Sequence, residues 1–142
     1  MSLYETDFYA WTQRQAEALK QHQWELLDLP NLLEEIAALG RRERQELRNR
    51  LGILLGHLLL WQYQPELRGN SWLATVRAQR REILTLLQEN PSLKPYLQEA
   101  LALAYQSGLD LAVRETGFSY TKFPESCPYT WEQTLDAEFF PN

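Results

Sequence analysis

Residues 54–65 read LLGHLLLWQYQP, the most apolar stretch of the chain, with His57 set inside it. Leu47, Leu51, Leu54, Leu58 and Trp61 recur every three or four residues, which marks one buried face of an α-helix. Leu55, Leu59 and Leu60 fall outside that stripe, so this half of the helix is expected to be buried on several sides. Gly52 and Gly56 leave room for a neighbouring helix to come close.

Upstream, LDLPNLLEEIAALG opens the same helix. Asp28 is placed to cap it, and Pro30 falls in the first turn, where its missing N–H is not needed. Glu34 and Glu35 stand near the positive end of the helix dipole. Gly40 is either a short break or an interior glycine, and the strong helix formers after it favour continuation, with or without a kink. Unbroken, a helix over 30–64 spans roughly 50 Å at 1.5 Å per residue.

The remaining chain is also helical in period. Tyr4, Phe8, Trp11, Gln15 and Ala18/Leu19 line one face of a first helix, capped by Thr6 and fading near His22. PELRGN is a turn, after which Asn70 or Ser71 caps a helix with Trp72, Val76, Ile83, Leu84 and Leu87 toward the core. NPSLKP breaks it. Ser92 is expected to cap the next helix, with Pro95 in its first turn and Leu97, Leu101, Ala104, Gly108 and Leu111 inside; Gly117 ends it. An irregular aromatic arm follows over Phe118–Tyr129. The TWEQ box, Thr130 with Gln133, opens a short last helix. No strand pattern and no repeat is visible. The expectation is an all-α fold: a single helical domain over 1–142, a bundle of four main helices including one long central helix, plus a short C-terminal helix and the arm.

The chain has 142 residues, 44% of them hydrophobic, and a net charge of −5. That suits a folded globular domain. A single cysteine, Cys127, excludes an internal disulfide and suits a reducing compartment. The acidic start lacks the basic and apolar regions of a signal peptide, and the apolar run is far shorter than the roughly 20 residues of a membrane span. A cytoplasmic protein, away from membranes, is the expectation. Charge is unevenly spread: residues 1–40 carry 2 basic and 7 acidic side chains, 41–81 carry 9 and 3, and 82–142 carry 3 and 9. Packing of the arginine-rich third between the acidic ones would neutralise it; an exposed cationic face would suit an anionic partner. The overall acidity weighs against nucleic acid.

Chemistry-bearing motifs are absent: no phosphate-cradling glycine loop, GxSxG, HExxH or CxxC. Two histidines and no Glu-x-x-His leave a thin set of metal ligands, and neither a metal nor another cofactor is expected. At helical spacing Glu43, Arg50, His57 and Gln64 share one side, joined by Glu46, so His57 lies on a polar seam along an apolar helix. The seam is a wet edge, a hydrogen-bonded contact with another helix, or the floor of a groove, where an imidazole could carry protons. Arg77, Arg80 and Arg81 fall within two turns. Their guanidinium forks suit carboxylate or phosphate, and a salt bridge to Glu34, Glu35 or Glu115 is the plainer expectation.

Taken in order, DFYAW, LDLPNLLEEIAALG, HLLLWQYQP, SWLATVRAQRREI, PSL, ETG and FPESCPYT resemble the bacterial, mainly cyanobacterial, domain-of-unknown-function family numbered twenty-nine. The matching positions include Glu35, His57, Trp61, Gln64, Pro65, Ser71, Trp72, Gln79, Arg80, Glu115 and Gly117. Family members often carry a lysine before the tryptophan of the histidine block, where this chain has Leu60. The resemblance implies a compact all-α fold in a bacterial cytoplasm and implies no activity.

Three functions follow in order of preference. The first is a non-enzymatic interaction module whose partner is a second copy or another protein. The second is a nucleic-acid or nucleotide binder using Arg41, Arg42, Arg44, Arg48, Arg77, Arg80 and Arg81. The third is an enzyme using His57 with Glu35 or Glu115. The candidate binding region is Glu35, Arg50, His57, Gln64, Trp72, Arg77, Arg80, Arg81 and Glu115.

Overall fold

The computed structural model describes residues 1–142. The chain is all-α, with α1 (Leu3–Thr6), α2 (Phe8–Lys20), α3 (Leu29–Tyr63), α4 (Asn70–Glu89), α5 (Leu97–Thr116) and α6 (Trp131–Leu135). It forms two compact units, Met1–Arg42 and Glu43–Asn142, and α3 begins in the first and ends in the second. α3 passes Gly40 as one uninterrupted helix of 35 residues. No helix is long and apolar enough to cross a membrane.

In the first unit α2 is capped by Asp7, whose carboxylate accepts from the Ala10 N–H at 3.0 Å. Thr6, the expected cap, is drawn into the short α1 and donates its hydroxyl to the Ser2 carbonyl instead. The chain leaves α2 through His22, whose φ of 58° lies in the left-handed region. Asp28 organises the return. Its carboxylate accepts from the Trp11 indole N–H at 3.0 Å and the Asn31 side chain at 2.8 Å. The buried Gln15 accepts from the Asp28 backbone N–H at 2.8 Å. The donors from Asn31 and Trp11 favour the charged carboxylate and hold Asp28 below the usual aspartate range. Tyr4 stacks edge-on against Phe8 and Trp11, completing a small aromatic cluster.

The second unit holds the main core. Leu47, Leu51, Leu54, Leu55, Leu58 and Leu59 of α3 are fully buried with Val76 and Ile83 of α4 and Ala100, Ala104 and Tyr105 of α5. α3 and α5 cross at glycine. A Cβ on Gly108 would lie 3.1 Å from the Gly56 nitrogen and 3.3 Å from the Gly52 oxygen. Those neighbours are backbone, so only glycine fits without moving a helix. The arm packs back on the core: the Tyr105 hydroxyl donates to the Pro124 carbonyl at 2.6 Å, and Tyr129 donates to Gln62 at 2.6 Å. Gly117 closes α5 at φ 74°, and Thr130 and Gln133 form the expected capping box on α6.

Three local expectations change. α4 starts after Gly69 with no side-chain cap, because Asn70 and Ser71 are already inside its first turn. Ser92 caps nothing: Pro91–Tyr96 forms a 3-10 turn with Pro95 inside it, and α5 begins only at Leu97. Leu84, expected in the core, is exposed on α4.

Candidate functional site

α3 carries one apolar face along its whole length. Five turns of an ideal α-helix take 18 residues, so Leu29, Leu33 and Ile36 fall in register with Leu47, Leu51 and Leu54. The second trio is 0% exposed; the first is 58%, 68% and 63% exposed. Leu39, beside the same face, is also exposed, as are Trp24 and Leu26 before it. Between residues 21 and 40 the only charged side chains are Glu25, Asp28, Glu34 and Glu35. The first unit therefore presents an apolar stripe with acidic flanks.

A second feature lies within the other unit, between α4 and the C-terminal tail. It is a groove of about 620 Å³ with Leu73, Leu84, Leu135 and Phe140 among its walls, and Arg77, Arg80, Arg81 and Glu138 along it. Arg80 is the anchor of this region. It is 4% exposed and makes no salt bridge to Glu34, Glu35 or Glu115. Its Nε donates to the Thr134 carbonyl and one terminal nitrogen to the Phe139 carbonyl, both at 2.8 Å. Longer contacts at 3.5 Å reach the Gln133 and Ala137 carbonyls. The guanidinium also lies over the Phe140 ring. Burial pulls it below the usual arginine range, against the opposing charge of Asp136. Arg68 adds a second clasp, donating to the Trp61 carbonyl at 2.7 Å while covering the Trp61 ring, which contacts Phe140. Arg80 and Arg68 thus hold the tail down, leaving Arg77 and Arg81 exposed on the rim.

The polar seam on α3 reaches beyond its own helix at Arg50 and Glu43. Arg50 donates to Glu46 at 2.7 Å and to Gln79 of α4 at 3.3 Å, and Asn90 reaches Glu43 at 3.5 Å. Further along, His57 is half-buried and its Nδ1 lies 2.9 Å from the Ile53 carbonyl. A carbonyl only accepts, so Nδ1 carries a proton and donates it. Gln64 is half-buried at the end of α3, and Trp72 is half-buried in the first turn of α4.

No histidine–carboxylate ion pair forms. Glu35 accepts instead from the Tyr4 hydroxyl, and Glu115 is exposed near the end of α5. No cluster of three or more His, Cys, Asp or Glu side chains could hold a metal ion.

A family model described as a domain of unknown function, DUF29, matches residues 3–140. The chain belongs to the DUF29 family. Among curated proteins and solved structures, none matches it.

Several positions singled out in the sequence have physical roles. Arg80 and Trp61 hold the tail, Gln79 meets Arg50, and Gly117 turns the chain out of α5. The two ion pairs present, Arg41 with Glu34 and Arg50 with Glu46, both lie within α3 itself. Arg48 donates to the Tyr96 hydroxyl and Arg44 covers the Tyr96 ring. The bare stripe at Leu29, Leu33 and Ile36 went unnoticed in the sequence. Its 18-residue register with the core leucines was the available signal.

Proposed function

We propose that this protein is a non-enzymatic interaction module that binds another protein chain through the apolar stripe of α3. The observation behind this reading is the register of Leu29, Leu33 and Ile36 with the buried leucines of the same helix. A helix face that is core in one unit and bare in the other is built to be covered. Contiguous exposed apolar surface rimmed by charge is typical of protein contact sites.

Nucleic-acid binding is less well supported. Of the seven arginines counted for it, Arg41 is ion-paired, Arg44 and Arg48 engage Tyr96, and Arg80 is buried on carbonyls. Arg42, Arg77 and Arg81 are what remain, on a chain of net charge −5. For catalysis, His57 would need a carboxylate within hydrogen-bond reach, and its hydrogen bond goes to a backbone carbonyl.

The test is capture of partners from native lysate with the wild-type chain and with Leu33→Glu and Ile36→Glu variants, beside sedimentation of the purified proteins. Binding or self-association that both variants abolish, with helical content unchanged, supports the module. Association insensitive to both variants, or none at all, rejects it. Steeply salt-dependent binding of RNA or DNA would favour the nucleic-acid reading instead.

A further inference from the structure

We propose that the partner is a second copy of this chain: the apolar stripe of α3 from one copy docks into the α4–tail groove of another. This rests on the reading of the stripe as a binding face and names what covers it.

The two surfaces match in chemistry. The stripe offers Leu29, Leu33 and Ile36 in a 20-residue stretch with no lysine or arginine and four carboxylates, of which Glu34 is paired with Arg41 just beyond it and Glu25, Asp28 and Glu35 have no ion-pair partner. The groove offers leucine walls with two exposed arginines, Arg77 and Arg81, one helical turn apart on α4. Neither arginine has an ion-pair partner in its own chain. Glu138 is the one acidic side chain on the groove. Arg80 does not contribute a free charge, because its donors are spent on the tail carbonyls.

They also match in length and spacing. Leu73, Arg77, Arg80 and Leu84 recur at i, i+4, i+7 and i+11 along α4, giving a face of roughly 16 Å at 1.5 Å per residue. Leu29, Leu33, Ile36 and Gly40 recur with the same spacing along α3. Two helices with such faces can interdigitate over about three turns. Pairing the stripe with its own equivalent would instead bring the unpaired Glu25, Asp28 and Glu35 of both copies together, where like charges repel. The stripe therefore fits the arginine-bearing groove better than it fits itself. Each copy carries one stripe and one groove, so the contact either closes as a pair or extends as a chain.

The experiment places a benzophenone amino acid at position 33 and irradiates the purified protein across a range of concentrations. Fragment mapping is expected to find adducts on residues 73–84 or 135–140 of a second copy. Arg77→Glu with Arg81→Glu should reduce the adduct and weaken association by roughly tenfold or more at low salt, as expected for two reversed rim charges. Both arginines are exposed, so circular dichroism should show an intact fold. Adducts elsewhere on the second copy, or association indifferent to the double reversal, overturn the groove assignment. Irradiation in native lysate separates the two readings. Adducts with a different protein only would overturn this inference and leave the interaction module standing, whereas no adduct in either setting would overturn both.

Discussion

The two halves of α3 carry the same kind of face into different surroundings. From Leu47 onward the leucines are sealed by α4 and α5, with glycines at the crossing bringing α5 close enough to exclude water. From Leu29 to Ile36 the face has the same period, carried by two leucines and an isoleucine, and it is open. Apolar periodicity sets which way a side chain points relative to its neighbours on the helix. It does not say whether anything is packed there. The first half keeps its helix through Asp28 at its start and through its continuity with the buried half. Its apolar side chains are left for another role.

The largest expected effect separates the halves directly. Leu54→Ala should destabilise the fold by about 2–5 kcal/mol, because it removes buried methyls and leaves a cavity. Leu33→Ala should stay within about 0.5 kcal/mol of wild type for the dissociated chain, as an exposed substitution does. Chemical denaturation at low protein concentration measures both; equal losses would break the comparison. Next come the glycines. Gly108→Ala should cost about 1–3 kcal/mol by pushing its new methyl into the backbone of α3. Gly40→Ala has open space around it and a helical backbone, so it should stabilise by about 0.5–1 kcal/mol. Opposite signs are the result to look for in the same denaturation experiment.

Arg80→Met should release the tail, since four carbonyls lose their donor. Hydrogen exchange over residues 133–141 should rise while that of residues 29–42 stays unchanged. Exchange rising equally in both regions would contradict the assignment of Arg80 to the tail. The smallest effect belongs to pH. Asp28 is held below the ordinary aspartate range by the hydrogen bonds it accepts, so folding favours its ionised form. Its contribution is complete above the unfolded value, near pH 3.9 for aspartate, and is lost as the pH falls through the lower folded value. Faster exchange of the Trp11 indole N–H across that window would show it, and Asp28→Asn should abolish the pH dependence.

Much of the fold was legible because helices announce themselves by period, cap and stop. The core leucines, the approach at Gly52 and Gly56, the left-handed Gly117 and the Thr130–Gln133 box were all readable that way. Arg80 was not. Its acceptors are main-chain carbonyls more than 50 residues downstream, and a backbone acceptor has no residue type to betray it. The nine arginines of the middle third left packing against acidic segments and an exposed cationic face both open; Arg41 and Arg50 pair with carboxylates, and the other heads turn to carbonyls, a tyrosine and solvent. At His57 the polar line bonds only to its own helix; where it meets another, the partners are Gln79 of α4 and Asn90 just after it, residues too ordinary to single out in the sequence.

The central claim is that the stripe on the first half of α3 is open in the single chain and closed by association. The direct measurement is the reaction of a thiol placed by Leu33→Cys with a maleimide, set against Leu51→Cys, both in a Cys127→Ser background. The thiol at position 33 should react near the rate of an unhindered thiol at high dilution and slow as protein concentration rises, while that at position 51 stays slow throughout. Slow reaction at position 33 at every dilution, or fast reaction at every concentration, would contradict it.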